Sequence, residues 1–337
     1  MTDDFIHFAH RVIGTRPSPP MSDESEIAAA LEAPEPAWIH MRADDPRSDE
    51  WIDRHLAYLA EPVQDALTAK ETRPRLAVHG DGVLLILRGV NLNPGADPED
   101  MVALRLWADP SRIVSLSRRR LMSLEDLASE IREGHGPDDT GALISSLIDR
   151  LSARIAKVVQ DMDLQGDEME EQALRGEGEA LRGDVADLRA AAVDFRRFLI
   201  PQRDAVAALA ETDLPMFEDH DHLRFAEAED TLRRLVEEIE SLRERLVVVK
   251  DELASQHSDR LNRNLYILSI VSAVFLPLGF LTGLMGINLA GMPGAAWPPA
   301  FWVFTAGLGV ILVLQVIVLW RLRFVSRSSA RRRAKTP

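Results

Sequence analysis

Cysteine is absent from all 337 residues. That excludes a disulfide framework and every thiolate metal site. Zinc chemistry, if there is any, falls to His, Asp, Glu, backbone oxygen or water. The chain also lacks a Walker-type phosphate loop, a Gly-x-Ser-x-Gly elbow and a metalloprotease motif. The one glycine-bearing candidate, RGEGEALRG, has no strand before it and no Lys-Ser/Thr after it, so ATP-driven transport and hydrolytic catalysis are not expected. No enzyme activity and no bound cofactor are anticipated. The N-terminus, MTDDFIHFAHRVIGTRP, is too poor in apolar residues to read as a signal peptide, which leaves the N-terminal body in the cytoplasm.

Acidic residues are scarce at one end only. Residues 259–337 hold a single acid, Asp259, against nine Lys and Arg, a net of +8. The first 258 residues hold 53 acids against 30 bases, a net of −23. An acidic body on a basic tail argues against nucleic acid as a partner. It fits either cation handling or an ordinary solvated acidic surface.

Charge is missing altogether from Leu265–Met285, 21 residues, and from Ala300–Trp320. At 1.5 Å per residue each run spans about 31 Å, the thickness of a bilayer core, so both read as transmembrane helices. Trp297, Trp302 and Trp320 lie near their ends, where interfacial aromatics belong. Arg260 and Arg263 precede the first span, and RLRFVSRSSARRRAK follows the second. The positive-inside rule then puts both termini in the cytoplasm and the uncharged loop 286–299 outside, in a multi-pass protein of the cytoplasmic membrane.

Ahead of the spans, PAWIHMR (36–42), RLAVHG (75–80), VLLILRGVNL (83–92), VALRLWA (102–108) and RIVSLS (112–117) read as strands. Asp81-Gly82 reads as a hairpin turn and 49–60 as a helix. Residues 1–120 are thus expected to form an α/β domain with its core from about 30 onward. Residues 121–258 read as helical, with polar helices over 141–174 and 181–200 and with Pro201 and Pro215 at bends or helix starts. Residues 259–325 form the membrane domain and 326–337 a basic cytoplasmic tail. Leu232, Leu235, Ile239, Leu242, Leu246, Val249 and Leu253 recur by threes and fours, an a/d seam that motivates self-association. Nothing between Phe217 and Met285 interrupts the helical pattern except Pro277, so one helix of about 65 residues and about 100 Å is expected. The alternative is a coiled coil beside an unrelated anchor.

The first span is richer in small residues than an anchor requires. Ser269, Ser272, Gly279, Thr282, Gly283 and Gly286 allow close packing. Pro277 frees a backbone carbonyl that a cavity or a neighbouring helix must satisfy. Asn288 closes the run. It fits two roles: a C-terminal helix cap, or, in a symmetric oligomer, a ring of amides that holds a hydrated divalent cation through its water shell. Two further groups have metal-ligand chemistry. In FEDHDH (217–222), Glu218 and His222 are spaced to converge on a helix, although the same residues fit a solvated first turn. Asp251 fits a charged ring on an axis.

Two C-terminal spans, a long juxtamembrane helix and the tripeptide Gly286-Ile287-Asn288 resemble the CorA superfamily of divalent-cation channels and transporters. The likeness is most specific over 258–294, and the general plan covers the chain. Gly-Ile-Asn followed by LAGMPG, in place of the usual Gly-Met-Asn, resembles the ZntB branch of zinc transporters. The resemblance implies a homopentamer with a funnel-shaped cytoplasmic α/β domain, long helices and an axial pore lined by the first span. It places the pore positions on Asp251, Asn262, Leu265, Leu268, Leu276, Gly279 and Asn288. Gly279 departs from the threonine common in magnesium channels, which removes a hydroxyl ring at that level. The resemblance also implies zinc as the transported ion, with Mg2+, Co2+, Ni2+ and Cd2+ as further candidates and protons as a coupling ion. No Asp, Glu, His, Lys or Arg lies in the first span to relay a proton. A magnesium or cobalt channel and a non-conducting coiled-coil scaffold remain as alternatives.

Overall fold

The computed structural model describes residues 5–333 apart from 177, 179, 288–293 and 295–296, with the backbone alone for 322–333. The chain divides into two compact units, Met1–Leu253 and Ala254–Pro337.

The first unit is built on a six-stranded sheet of β1 (Ile6–Arg11), β2 (Ala37–Arg42), β3 (Arg75–His79), β4 (Gly82–Gly89), β5 (Val102–Ala108) and β6 (Arg112–Ser117), in the order β1-β2-β6-β5-β4-β3. Only β2 and β6 pair in parallel; the other neighbours are antiparallel. The central strands are apolar on both sides because both faces are covered. Val83, Leu85 and Leu87 face one core, Leu84 and Ile86 the other. The second core is closed by α1 (Glu24–Glu32), α2 (Pro46–His55) and α3 (Glu61–Thr68). The first is closed by α4 (Met122–Glu133), α5 (Thr140–Leu174), α6 (Leu181–Ala210) and the cytoplasmic part of α7 (Asp219–Gly286).

Local signals start and stop these helices. Asp23, Asp45 and Asp139 cap α1, α2 and α5 by accepting from the amides of Ser25, Arg47 and Ala142, each contact contributing about 1 kcal/mol. α4 ends at Gly134, whose φ of 83° is the left-handed conformation that suits glycine.

Four expectations need revision. The hairpin turn is Gly80–Asp81, since His79 pairs with Gly82 and Gly80 takes the positive φ of 59°. Gly82 is instead a close-approach residue: a Cβ there would lie 2.5 Å from the Trp107 ring and 2.8 Å from the Ala108 carbonyl. The helix expected over 49–60 starts earlier and stops sooner, as α2 over Pro46–His55: Asp45 and Pro46 open it, the chain turns after Leu56, and a separate helix, α3, begins at Glu61. Pro201 lies inside α6 and is no boundary. Phe195, Leu199 and Val206 continue one buried stripe across it, and that burial outweighs a proline cost of about 3 kcal/mol. The strand order begins earlier than residue 30, with β1 pairing along β2.

The heptad seam of α7 is buried by this chain's own helices. Leu232, Leu235, Ile239, Leu242, Leu246, Val249 and Leu253 belong to one core with residues of α5 and α6. At Gly166 of α5 a Cβ would lie 2.6 Å from Leu242 Cδ1, so glycine permits the close approach. Arg245 pairs with Asp163 and Asp167 of α5, and Arg196 of α6 with Glu240 at 3.0 Å. The seam therefore closes the protomer and offers no free stripe to a second copy.

In the second unit, α7 continues to Gly286 and α8 (Ala300–Arg333) follows. Both contain stretches long and apolar enough to cross a membrane.

Candidate ion-conduction site

Residues 219–276 of α7 contain neither glycine nor proline, which is why a single 68-residue helix forms. At about 100° per residue, Asp251, Asn262, Leu265, Leu268, Leu276, Gly279 and Gly286 all fall within an arc of about 120°. Ser269, Ser272 and Gly283 share it. The buried residues Leu246, Val249 and Leu253 fall outside that arc. The arc is exposed along its length: Leu265 is 60%, Leu268 63% and Leu276 75% exposed, and Asp251, Asn262, Gly279 and Gly286 are exposed as well. Nothing lies within 4 Å of where a Cβ would sit on Gly279, Gly283 or Gly286. Ile287 is 49% exposed. Asn288 lies outside the described residues.

The arc thus has an order. A carboxylate and an amide come first, then a tract of large apolar side chains, then glycines. Thr282 is on another side and donates back to the carbonyls of Leu278 and Gly279, at 2.9 and 3.1 Å.

Pro277 lacks the N–H that would bond Ala273 O, four residues back. Gln315 of α8 fills that role, its Nε2 donating to Ala273 O over a long 3.5 Å. The sequence required such a partner without identifying it. Gln315 Oε1 is buried with no partner. Gln315→Leu leaves the carbonyl unpaired in an apolar setting and is expected to destabilise the helix pair by about 1 kcal/mol. The readout is a lowered thermal midpoint of the detergent-solubilised protein. Gln315→Met, similar in length and without a donor, should lower it too. An unchanged midpoint in both would leave the proline carbonyl to another partner.

The structure does not bring Glu218 and His222 to a common point. His222 Nδ1 lies 2.9 Å from Ala210 O. The Glu218 side chain is largely exposed, with Oε2 3.5 Å from His220 Nδ1. Among the described residues no group of three or more His, Asp and Glu side chains is placed to hold a metal. The residue of FEDHDH that the fold uses is Asp221. It is fully buried and accepts from the Glu218 amide at 3.0 Å, capping the start of α7. A Cβ on Gly141 would lie 2.2 Å from its carboxylate, so glycine is needed where α5 meets it.

The family model described as "CorA-like Mg2+ transporter protein" matches residues 35–323. "Divalent cation transporter CmaX" of Pseudomonas aeruginosa is 37% identical over 304 residues, 89% of this chain and 91% of the relative. "Zinc transport protein ZntB" of Yersinia pseudotuberculosis is 34% identical over 295 residues, covering 86% and 88%. The solved full-length CmaX structure aligns with a TM-score of 0.81 at 33% identity, over 96% of this chain and 100% of that one. A CorA magnesium transporter from Methanocaldococcus jannaschii aligns at 0.76 with 19% identity, over 93% and 98%, a likeness of fold alone.

Proposed function

The chain belongs to the CorA-like Mg2+ transporter family, and from that premise we propose that it carries zinc across the cytoplasmic membrane through an axial pore of a homopentamer. The coarser statement, a divalent-cation transporter of the CorA/ZntB type, rests on relatives that match over most of both chains. The zinc reading is supported by the relatives named for zinc transport and by Gly-Ile-Asn in place of Gly-Met-Asn. A magnesium or cobalt channel is the second reading, favoured by the family's own description.

The observation that carries the pore is the order of residue types along one arc of α7: polar groups at one end, leucines in the middle and glycines at the other. In the single chain most of α7 beyond Leu253 is exposed all round, and five copies around an axis would bring this arc together. Asp251 then forms a carboxylate ring and Asn262 an amide ring on the cytoplasmic side. Leu268 and Leu276 narrow the path, and Gly279 widens its level. Gly286-Ile287-Asn288 makes the outer mouth, with both termini in the cytoplasm. Residues 259–325 act as the membrane domain. A proton path, if zinc moves with protons, has no Asp, Glu, His, Lys or Arg to use within Leu265–Met285.

Zinc uptake into proteoliposomes tests this reading. It expects zinc to enter faster than magnesium or cobalt; magnesium entering faster would favour the second reading. Mass measurement of the solubilised protein should give five copies, and a monomer would remove the shared pore.

The Asp251 ring yields a salt-dependent prediction. Asp251→Asn should lower zinc flux severalfold at about 10 mM salt, where the screening length is about 30 Å. At about 0.15 M, with a length of about 8 Å, the loss should shrink. Equal loss at both would mean that Asp251 acts by contact alone.

A further inference from the structure

Against the acidic background of this chain, one cavity of about 390 Å³ in the first unit is basic. Lys70, Arg88, Arg105, Arg118, Arg119 and Arg197 line it. Three acids, Glu99, Asp100 and Asp194, line it too, which leaves a net of +3 where the whole chain carries −15. Among the described residues none of the six cations has a carboxylate within ion-pair distance. The volume falls in the range of small-molecule pockets, about 300–1,000 Å³.

Arg105 is the most telling member. It sits in the middle of β5, paired between Ile86 and Leu116, and is only 1% exposed. Its Nη2 donates to Ala69 O, at the end of α3, at 2.7 Å, and its Nη1 reaches Ala103 O at 3.4 Å. Both acceptors are neutral, and Nε has no partner at all. A buried, unpaired guanidinium is costly unless an anion completes it. Arg88 beside it donates to the carbonyls of Met101 and Thr72, both at 2.6 Å, with its guanidinium stacked 4.4 Å over Phe198. Arg88 Nε and Arg118 Nε are likewise unpartnered. Burial, and then Arg118 and Arg88, hold Arg105 down to about 10, so it stays charged at neutral pH. Burial and then Arg197 lower Arg88. These cations are crowded together against their mutual repulsion.

We infer that this cavity is a binding site for a small anion bearing one or more phosphoryl groups. Several guanidinium forks facing one space match the multiple oxygens and the charge of a phosphoryl group better than they match a halide or a single carboxylate. Arg118 and Arg119 also line a second cavity that holds Arg42 and Arg120, so a longer polyphosphate has room to extend. The site is separate from the α7 arc, and its existence does not depend on which ion the protein carries.

The test uses the full-length protein in detergent, free of divalent cations, titrated calorimetrically with pyrophosphate and separately with ATP. Saturable binding of one anion per chain is expected, together with a rise of about 3 °C or more in the thermal midpoint at about ten times the dissociation constant. Arg118→Gln and Arg119→Gln should each weaken binding by about tenfold. Arg233→Gln, on the exposed side of α7, should leave it unchanged. Arg105→Met should abolish binding; if that variant fails to fold, the Arg118 and Arg119 variants decide. Equal affinity for both probes means that the phosphoryl groups alone are recognised, and tighter ATP binding means that a nucleotide is the ligand. No binding of either probe at about 5 mM, or binding that Arg118→Gln and Arg119→Gln leave intact, overturns the inference.

Discussion

Asn288→Ala is expected to cut zinc flux by about tenfold or more while the assembled protein keeps its subunit number and thermal midpoint. The proposed ring of amides accepts hydrogen bonds from the water around a hydrated ion without stripping it. An alanine ring offers nothing to those waters. A carboxylate ring would bind zinc directly and release it slowly, because anionic oxygen is a proper zinc ligand. Asn288→Asp should therefore lower both the half-saturating zinc concentration and the maximal rate. Stability should hardly change, since Asn288 follows the end of α7 and its neighbours Gly286 and Ile287 are exposed. Normal flux in assembled Asn288→Ala would reduce the asparagine to a helix cap. Flux lost together with the oligomer would make the tripeptide a folding element.

Leu242→Ala should do the reverse, with a large loss of stability and no change in subunit number. Leu242 is 1% exposed in the core shared by α5, α6 and α7, against Gly166. Leucine-to-alanine changes at such sites cost about 2–5 kcal/mol, or roughly 5–15 °C in midpoint for a unit of this size. The seam is internal, so the copies should stay together until the unit itself unfolds. Dissociation of the oligomer with an unchanged midpoint would mean that the seam joins chains.

The sequence carries most of the architecture because the strongest physical signals are local. Charge-free runs of bilayer length reveal the two apolar helices, and the lack of glycine and proline over 219–276 reveals the continuity of α7. Strands β2, β4, β5 and β6 are legible as apolar blocks because the sheet is covered on both faces there, and the edge strand β3 (RLAVH) is legible beside the turn that leads into β4. β1 is not legible: IHFAHR is short, half-polar and sits at an edge, and only its pairing with β2 makes it a strand. The a/d spacing of the α7 seam is likewise legible, but spacing cannot tell a neighbouring helix of the same chain from a second chain. Pro277 announces an orphan carbonyl, yet Gln315 lies 42 residues from Ala273, and that pairing is a matter of three dimensions. The same holds for Arg88 and Arg105, which stand singly on two strands, and for the run Arg118-Arg119-Arg120: they gather only when the sheet forms.

The central claim is that one face of α7 lines the ion path, and the absence of cysteine allows it to be tested without background labelling. Leu268→Cys lies in the exposed arc. Ile267→Cys lies about 100° away, outside it, at a similar depth. Both native residues are exposed, at 63% and 51%. Zinc flux into proteoliposomes is measured before and after treatment with a charged, water-soluble thiol reagent. The reagent should cut flux through Leu268→Cys by about tenfold, zinc should slow that block, and Ile267→Cys should be little affected. Block of Ile267→Cys with Leu268→Cys untouched, or equal insensitivity of both in conducting protein, would contradict it.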